Sequence, residues 1–175
     1  MDAYISPADT MSEPAFYSCI KGAAEYYKVP SMALLAIYAQ ERGSSARTSD
    51  NANRTKDYGR FQINDASWRQ YLAEHRISLD RVLKDNCLNA YVGAHIFKLR
   101  YATCKSDVWC AIGLYHSANE PYRSSYVSNV YKKYQAIQKD REFLNWFRSL
   151  AVYDASSGKW EYLIAGAGHA ATTSR

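Results

Sequence analysis

The sequence contains no hydrophobic run long enough to cross a membrane. Its longest apolar stretch, from Met32 to Ala39, is far shorter than the roughly 20 residues that a spanning helix needs. No signal peptide pattern follows Met1, since Asp2 and further polar residues come next. Export of the chain would therefore need another route or an N-terminus that has been trimmed.

Patterns for binding metal ions and nucleic acids are missing too. No Cys-X-X-Cys pair or nearby histidine completes a zinc ligand set, so we expect no metal, and no motif implies a cofactor. Lysine and arginine are scattered, with only short pairs such as Lys132-Lys133. They form no basic stripe of the kind that binds nucleic acid, so we expect no nucleic-acid partner. The net charge of +5 nevertheless favours an anionic partner, such as a membrane surface or a cell wall.

Repeats and low-complexity segments are also absent, and the composition is that of a globular protein. The 175 residues suit one domain, and 47% of them are hydrophobic while 22% are charged. The 16 tyrosines, with 4 Trp and 5 Phe, are many for this length. Their amphipathic rings suit a polymer-binding surface, although they could equally pack inward with only their hydroxyls exposed.

Only four cysteines are present: Cys19, Cys87, Cys104 and Cys110. Cys104 and Cys110 flank a short polar turn, so a local bridge is feasible, and it would leave Cys19 to pair with Cys87. Such bridges would indicate an oxidising compartment outside the cytoplasm. Four reduced, buried thiols in a cytosolic protein are the alternative.

Apolar residues recur at helical spacing over most of the chain, which predicts a mainly helical fold. Because proline suits a first helical turn, the first helix is expected from Pro14 to Tyr27. Asp65 and Asp107 are expected to cap later helices, and His95 is expected to be a core histidine. Further helices are expected at about 32–41, 66–75, 79–83, 86–101, 108–117, 123–139 and 141–153.

Glu41 stands out because it continues the apolar stripe of its helix. Leu34, Ile37 and Tyr38 lie at helical spacing, and Glu41 follows on the same face just before the helix ends. Burial and the negative end of the helix dipole would both raise the pKa of Glu41. A raised pKa keeps the proton on near neutral pH, as a general acid requires. A solvent-facing Glu41, or one paired with Arg42, is the alternative.

A long polar segment, residues 43–57, follows and is a candidate for function. Beyond it, residues 58–64 alternate large and small side chains and predict a short extended stretch. Gly59 would let the backbone approach another group closely, while Gln62 and Asn64 would present amides on one face. Amides together with aromatic rings are typical of sugar-binding surfaces, so this stretch is expected to form one wall of a sugar cleft.

Together these motifs resemble the lysozyme-like lytic transglycosylases. The resemblance rests on Glu41 at a helix end, the polar segment, the turn from Asp57 to Asn64, and the later Tyr115-His116-Ser117. It covers about residues 16–134 and points to the specialised group that accompanies type III and type IV secretion, conjugation and pilus systems. It implies an α+β fold, predominantly α, with a small β-region near residues 57–64.

Local composition and the extent of the resemblance together suggest how the chain is divided. Residues 1–13 would be a polar leader, 14–139 the lysozyme-like catalytic domain, 140–155 an additional aromatic helix and 156–175 a polar tail. The additional helix either completes the core or presents Trp146 and Phe147 to a partner.

Site residues carry over by position. Glu41 would be the catalytic acid and base, and the hydroxyl of Tyr115 is expected to bond its carboxyl group. The expected substrate-binding residues are Tyr58, Gly59, Gln62, Asn64, Tyr115 and His116, with Gln62 chief among them.

The resemblance implies cleavage between N-acetylmuramic acid and N-acetylglucosamine without water. One glutamic acid donates a proton to the leaving oxygen and then takes a proton from the muramoyl 6-hydroxyl, which closes a 1,6-anhydro ring. The family pattern is broken where Arg42 replaces a serine, His116 replaces an asparagine, and Arg60-Phe61 replace Leu-Met. The guanidinium of Arg42 could lower the pKa of Glu41 unless it points away.

Two alternatives stay open. The turn also resembles that of animal-type lysozymes, whose second carboxylate lies at the Asp57 position, and a separation of about 5 Å from Glu41 would allow retaining hydrolysis. Otherwise Asp57 is a structural turn residue that accepts hydrogen bonds from loop amides. The second alternative is a lysozyme-like module that binds wall glycan or an assembling partner without cutting the glycan.

The sequence thus predicts a peptidoglycan lytic transglycosylase that opens the wall locally for a secretion or conjugation apparatus. Its expected location is periplasmic or otherwise extracytoplasmic. Its expected partners are peptidoglycan strands and proteins of that apparatus, and no nucleic acid or cofactor is expected.

Overall fold

Eight helices and a small sheet make up residues 13–44 and 46–152, the part of the chain that the computed structural model describes. The expected α+β, predominantly α fold is therefore confirmed. The elements are α1 Glu13–Tyr27, α2 Ser31–Glu41, β1 Ser49–Asp50, β2 Lys56–Tyr58, β3 Ile63–Asn64, α3 Asp65–Glu74, α4 Leu79–Lys84, α5 Asn86–Thr103, α6 Val108–His116, α7 Tyr122–Lys139 and α8 Arg141–Ser149.

Helix α5 runs through the centre of the protein, and residues 86–97 are buried on every face of it. It packs against α1, whose apolar side includes the fully buried Phe16 and Ile20. Helix α2 is likewise buried from Ala33 to Tyr38, because its sequence is apolar all round. The buried helices α2 and α5 therefore support the polar residues near Glu41.

Helix α2 ends immediately after Glu41. Arg42 adopts a left-handed conformation, with φ of 41°, and its N–H donates to the carbonyl of Tyr38. The chain then turns back, and the Gly43 N–H donates to the carbonyl of Arg60 at 3.2 Å. A Cβ at Gly43 would overlap the Gly59 carbonyl, so glycine is needed where α2 meets the sheet.

The three strands form an antiparallel sheet in the order β1-β2-β3, with Asp57 opposite both Ser49 and Asn64. The expectation of one extended stretch over residues 58–64 is wrong, because the chain reverses between β2 and β3. Gly59 and Gln62 both have positive φ, and the Gln62 N–H donates to the Gly59 carbonyl at 3.0 Å. Gln62 and Asn64 therefore do not share one face of a strand.

Other boundaries differ from the expectation in small ways. Asn64, and not Asp65, caps α3, because its side chain accepts the Ser67 N–H. Asp107 caps α6 as expected, while α8 ends at Ser149 and is shorter than expected. His95 is buried in the core, with Nε2 2.7 Å from the Tyr71 hydroxyl, and burial lowers its pKa to about 4.

Two disulfides connect the helices. Cys19 of α1 is bonded to Cys87 of α5, and Cys104 is bonded to Cys110 across the turn between α5 and α6. This is the pairing that follows from a local bridge at Cys104. The alternative of four reduced thiols is not what the structure contains.

Helix α8 packs against α1, so its aromatic residues extend the core. Phe147 is buried, and Tyr17 makes edge-on contacts with Phe143, Trp146 and Phe147. Lys21 fixes the end of the helix, because its Nζ donates to the carbonyls of Arg148 and Leu150 at 2.7 and 2.6 Å.

Residues 1–12 and 153–175 lie outside the described residues, so the leader and the polar tail stay predictions, as do the domain boundaries. Within the described ranges, every helix is too short or too polar to cross a membrane.

Candidate active site

A cleft of about 740 Å³ lies between the sheet and helices α3, α5 and α6. Glu41 and Asp57 line it, together with amide, hydroxyl and aromatic groups that suit a sugar polymer. The residues lining the cleft are Glu41, Asn51, Ala52, Asn53, Thr55, Asp57, Gln62, Ile63, Asn64, Ser67, Trp68, Ile96, Arg100, Leu114, Tyr115, His116, Ser117, Ala118, Asn119 and Tyr122.

Glu41 reaches this cleft from the last turn of α2. Burial raises the pKa of its carboxyl group to about 7, and the nearby Asp57 charge adds to the rise. A hydrogen bond from the Tyr126 hydroxyl opposes it. Arg42 is exposed and is not among the groups that shift the pKa of Glu41, which is the outcome anticipated if its guanidinium points away. Glu41 therefore carries its proton over much of the range below neutral pH.

Tyr126 of α7 is the residue that orients Glu41. Its hydroxyl donates to Glu41 Oε1 at 2.5 Å, and its ring stacks on the His116 ring with centroids 4.5 Å apart. The expectation that Tyr115 bonds Glu41 is wrong, since the Tyr115 hydroxyl donates to the Phe61 carbonyl at 2.9 Å. Tyr115 thus anchors the turn between β2 and β3.

Both carboxylate oxygens of Asp57 accept hydrogen bonds from side-chain amides. Asn64 Nδ2 donates to Oδ1 at 2.8 Å, and Asn51 Nδ2 donates to Oδ2 at 2.9 Å. Two such bonds fix the position and orientation of the carboxylate. Asp57 therefore has the contacts of a structural turn residue while it faces the same cleft as Glu41.

Buried Asn89 of α5 holds the turn between β2 and β3 in place. Its Oδ1 accepts the Phe61 N–H at 2.8 Å, and its Nδ2 donates to the carbonyls of Tyr58 and Val82 at 2.9 and 3.1 Å. A Cβ at Gly59 would overlap this amide, so the turn approaches α5 as closely as its backbone allows.

Replacing Asn89 by alanine is expected to lower the free energy of unfolding by about 3 kcal/mol, because three backbone groups, two of them buried, lose a partner. The turn should also lose its fixed position, and with it the placement of Gln62 in the cleft. Urea unfolding measures the first effect, and Asn145→Ala on the exposed side of α8 is the control. A loss no larger than that of the control would contradict the assigned role.

The structure gathers most, but not all, of the expected binding residues. Gln62, Asn64, Tyr115 and His116 line the cleft, whereas Tyr58 and Gly59 are outside its lining. Tyr58 and Gly59 instead face α5, where they contact Asn89.

Sequence reasoning missed Tyr126, Trp68 and Arg100. Tyr126 is one of several tyrosines on the apolar stripe of α7, and nothing in their spacing indicates which one reaches Glu41. Trp68 and Arg100 lie on separate helices, and the Arg100 guanidinium is 5.2 Å from the centre of the Trp68 ring. Their proximity arises only when α3 packs near α5.

The lysozyme-like fold is a helical domain with a small antiparallel sheet beside a cleft and a partly buried glutamic acid at a helix end, and the protein has this arrangement. Residues 18–137 match the family model described as the Transglycosylase SLT domain. The chain belongs to this family, which confirms the resemblance to lytic transglycosylases.

Two known proteins are similar to the chain over most of its length. They are Protein IpgF of Shigella flexneri and Protein IpgF of Shigella sonnei. Each is 30% identical over 124 residues, which is 68% of this chain and 80% of the relative.

Proposed function

We propose that this protein is a lytic transglycosylase that cleaves the β-1,4 bond between N-acetylmuramic acid and N-acetylglucosamine in peptidoglycan, with Glu41 as the acid and base. The observation that carries the proposal is the Glu41 carboxyl group, which lines the cleft with its pKa raised to about 7 by burial. Membership of the Transglycosylase SLT domain family supports the same reaction class.

The chemistry needs two proton transfers, one from Glu41 to the substrate and one from the substrate back to Glu41. Protonated Glu41 donates to the glycosidic oxygen as the bond from the anomeric carbon to that oxygen breaks. The Glu41 carboxylate then takes the proton of the muramoyl 6-hydroxyl, whose oxygen bonds to the anomeric carbon. The products are a free N-acetylglucosamine hydroxyl and a 1,6-anhydromuramoyl end, and Glu41 is protonated again.

The remaining groups at the site are proposed to bind the substrate and to stabilise the charge that develops on it. The bond from Tyr126 occupies Glu41 Oε1, which leaves Oε2 for the substrate. The Asp57 carboxylate can stabilise the positive charge that develops at the anomeric carbon. Gln62, Asn64 and His116 are proposed to bond the hydroxyl and N-acetyl groups of the sugars.

We also propose that the protein acts outside the cytoplasm and opens the wall locally for a secretion or conjugation apparatus. The two disulfides support an oxidising compartment. The likeness of the sequence motifs to the secretion-associated group supports the apparatus, and the net charge of +5 suits an anionic wall. Cell fractionation with thiol labelling tests the location, and labelling of all four cysteines without a reducing agent would contradict it.

Release of soluble fragments from purified peptidoglycan tests the enzymatic activity. Wild-type protein should release fragments, and Glu41→Gln should bind the glycan without releasing any. Binding without release by the wild-type protein would instead favour a glycan-binding module.

Lysozyme-type hydrolysis is the second candidate, because Asp57 faces the same cleft and contributes to the raised pKa of Glu41. The variant Asp57→Asn separates the two. A hydrolase that uses Asp57 as nucleophile should lose nearly all activity, whereas the transglycosylase should keep a measurable rate with unchanged products.

Replacing Tyr126 by phenylalanine is expected to move the alkaline limb of kcat/KM to higher pH, because the hydrogen bond that lowers the pKa of Glu41 is removed. The same variant should reduce kcat about tenfold or more, since Glu41 loses its orientation. A pH profile of fragment release measures both effects.

Tyr115→Phe is the matched control, because it removes a hydroxyl that bonds the Phe61 carbonyl and not Glu41. Its alkaline limb should stay where the wild-type limb lies. An unshifted limb in Tyr126→Phe would contradict the role of Tyr126 as the residue that positions Glu41.

A further inference from the structure

Arg100 is the one lysine or arginine among the described residues that line the cleft. It lies in the last turn of α5, half-buried, with its guanidinium 5.2 Å from the centre of the Trp68 ring. Its Nε is buried and has no hydrogen-bond partner in the described part of the chain. A buried donor without a partner is unfavourable, so the cleft holds a cationic group whose hydrogen bonding is incomplete.

The acidic residues of the cleft do not supply the missing partner. Glu41 is bonded by Tyr126, and the oxygens of Asp57 are bonded by Asn51 and Asn64. The charge of Arg100 thus remains available to a ligand in the cleft.

Other arginines of this region have their polar contacts within the protein. Arg60 donates to the Tyr38 hydroxyl at 3.1 Å and lies over the Phe16 ring, and Arg69 forms an ion pair with Asp65 at 3.2 Å. The Arg100 guanidinium lies near the Trp68 ring at the cleft wall, and stacking on an aromatic ring lets the edge of a guanidinium donate hydrogen bonds.

Peptidoglycan differs from neutral glycans of the same backbone by its carboxylates. Each muramoyl unit has a lactyl group that either ends in a free carboxylate or is joined to a peptide that carries carboxylates of its own. The planar fork of a guanidinium matches a carboxylate with two parallel hydrogen bonds.

We propose that Arg100, held by Trp68 at the cleft wall, binds a carboxylate carried by the muramoyl unit and makes the cleft selective for anionic wall glycan over neutral glycan. This inference rests on the proposed function, since it assigns a contact within the same cleft. Arg100 is a specificity-determining residue and takes no part in proton transfer at Glu41.

Binding in the inactive Glu41→Gln background tests the inference without requiring cleavage. Arg100→Gln and Arg100→Lys are each added to it, and Arg141→Gln, exposed at the start of α8, is the charge-matched control. Calorimetry measures affinity for three soluble ligands. They are peptide-bearing muramoyl glycan, the same glycan after an amidase has removed its peptides, and a neutral N-acetylglucosamine oligomer.

Arg100→Gln is expected to weaken binding of at least one anionic glycan about tenfold or more and to leave the neutral oligomer unaffected. Arg100→Lys should recover part of the loss, and the control should bind as the background does. If affinity falls only for the peptide-bearing glycan, Arg100 binds a peptide carboxylate. If it falls only for the glycan without peptides, Arg100 binds the lactyl carboxylate. If it falls for both, Arg100 accepts either carboxylate.

Equal loss on all three ligands would overturn the inference, because it would show that Arg100 only supports the shape of the cleft. Unchanged binding of every ligand would overturn it as well. Failure of the proposed cleavage would be seen separately, in the fragment-release assay of the wild-type protein.

Discussion

Replacing Glu41 by glutamine is expected to reduce cleavage of wall glycan about a thousandfold and to stabilise the fold above neutral pH. The loss of activity follows because an amide can neither donate the proton to the leaving oxygen nor accept one from the 6-hydroxyl. Glutamine keeps the size of the side chain, and its carbonyl oxygen can still accept the Tyr126 hydroxyl. The site should therefore keep its shape and its affinity for glycan.

The pKa of Glu41 determines whether Glu41→Gln is more or less stable than the wild type at a given pH. Its pKa is about 7 in the folded protein and 4.5 as the ordinary value, so between these values the folded state binds more protons than the unfolded state. The free energy of unfolding therefore falls as pH rises through this window, by about 3 kcal/mol in total. Glu41→Gln does not titrate and avoids this loss.

Urea unfolding at pH 4 and at pH 8 measures the effect. The variant and the wild type should have similar stability at pH 4, and the variant should be more stable at pH 8. Glu25→Gln, on an exposed position of α1, is the control and should change little at either pH. A variant that is equally stable at pH 8, or that keeps most of its activity, would contradict a buried, protonated Glu41.

Removing the Cys19–Cys87 disulfide is expected to be the most damaging change to stability. The bond closes a loop with a sequence separation of 68 residues and joins α1 to the central helix α5. Loop-closure entropy predicts a loss of about 4 kcal/mol in the free energy of unfolding when both cysteines become serine. A loss of that size is a large share of the stability of a small domain.

The second disulfide provides the matched control. Cys104–Cys110 has a sequence separation of only 6 residues, so its removal should cost about 2 kcal/mol on the same model. Denaturant unfolding of the two double variants compares them directly. Equal losses, or a larger loss for the Cys104–Cys110 variant, would contradict the prediction that the longer loop gives the larger stabilisation.

The sequence was sufficient to predict the helices and to single out Glu41 at the end of α2. Strong apolar periodicity locates α1, α2 and α5 to within a few residues, and Asp107 marks the start of α6 through local capping chemistry. Glu41 could be found because a carboxyl group interrupts an otherwise apolar stripe.

Tertiary contacts determine what the sequence did not reveal. Gln62 adopts a positive φ, which its own chemistry does not favour, because Asn89 and Tyr115 fix the backbone of Phe61 immediately before it. Tyr126 is 85 residues from Glu41 in the chain, and only the packing of α7 against α2 brings the two together. Neither contact leaves a local pattern that could be read in advance.

The mass of the muramoyl ends released from purified peptidoglycan tests the central claim most directly. Proton transfer by Glu41 to and from the sugar predicts muramoyl ends that are lighter by one water than ordinary reducing ends. These ends should be absent with Glu41→Gln. Ordinary reducing ends would contradict it, because water and not the 6-hydroxyl would then have attacked the anomeric carbon, and Asp57 would become the second catalytic residue.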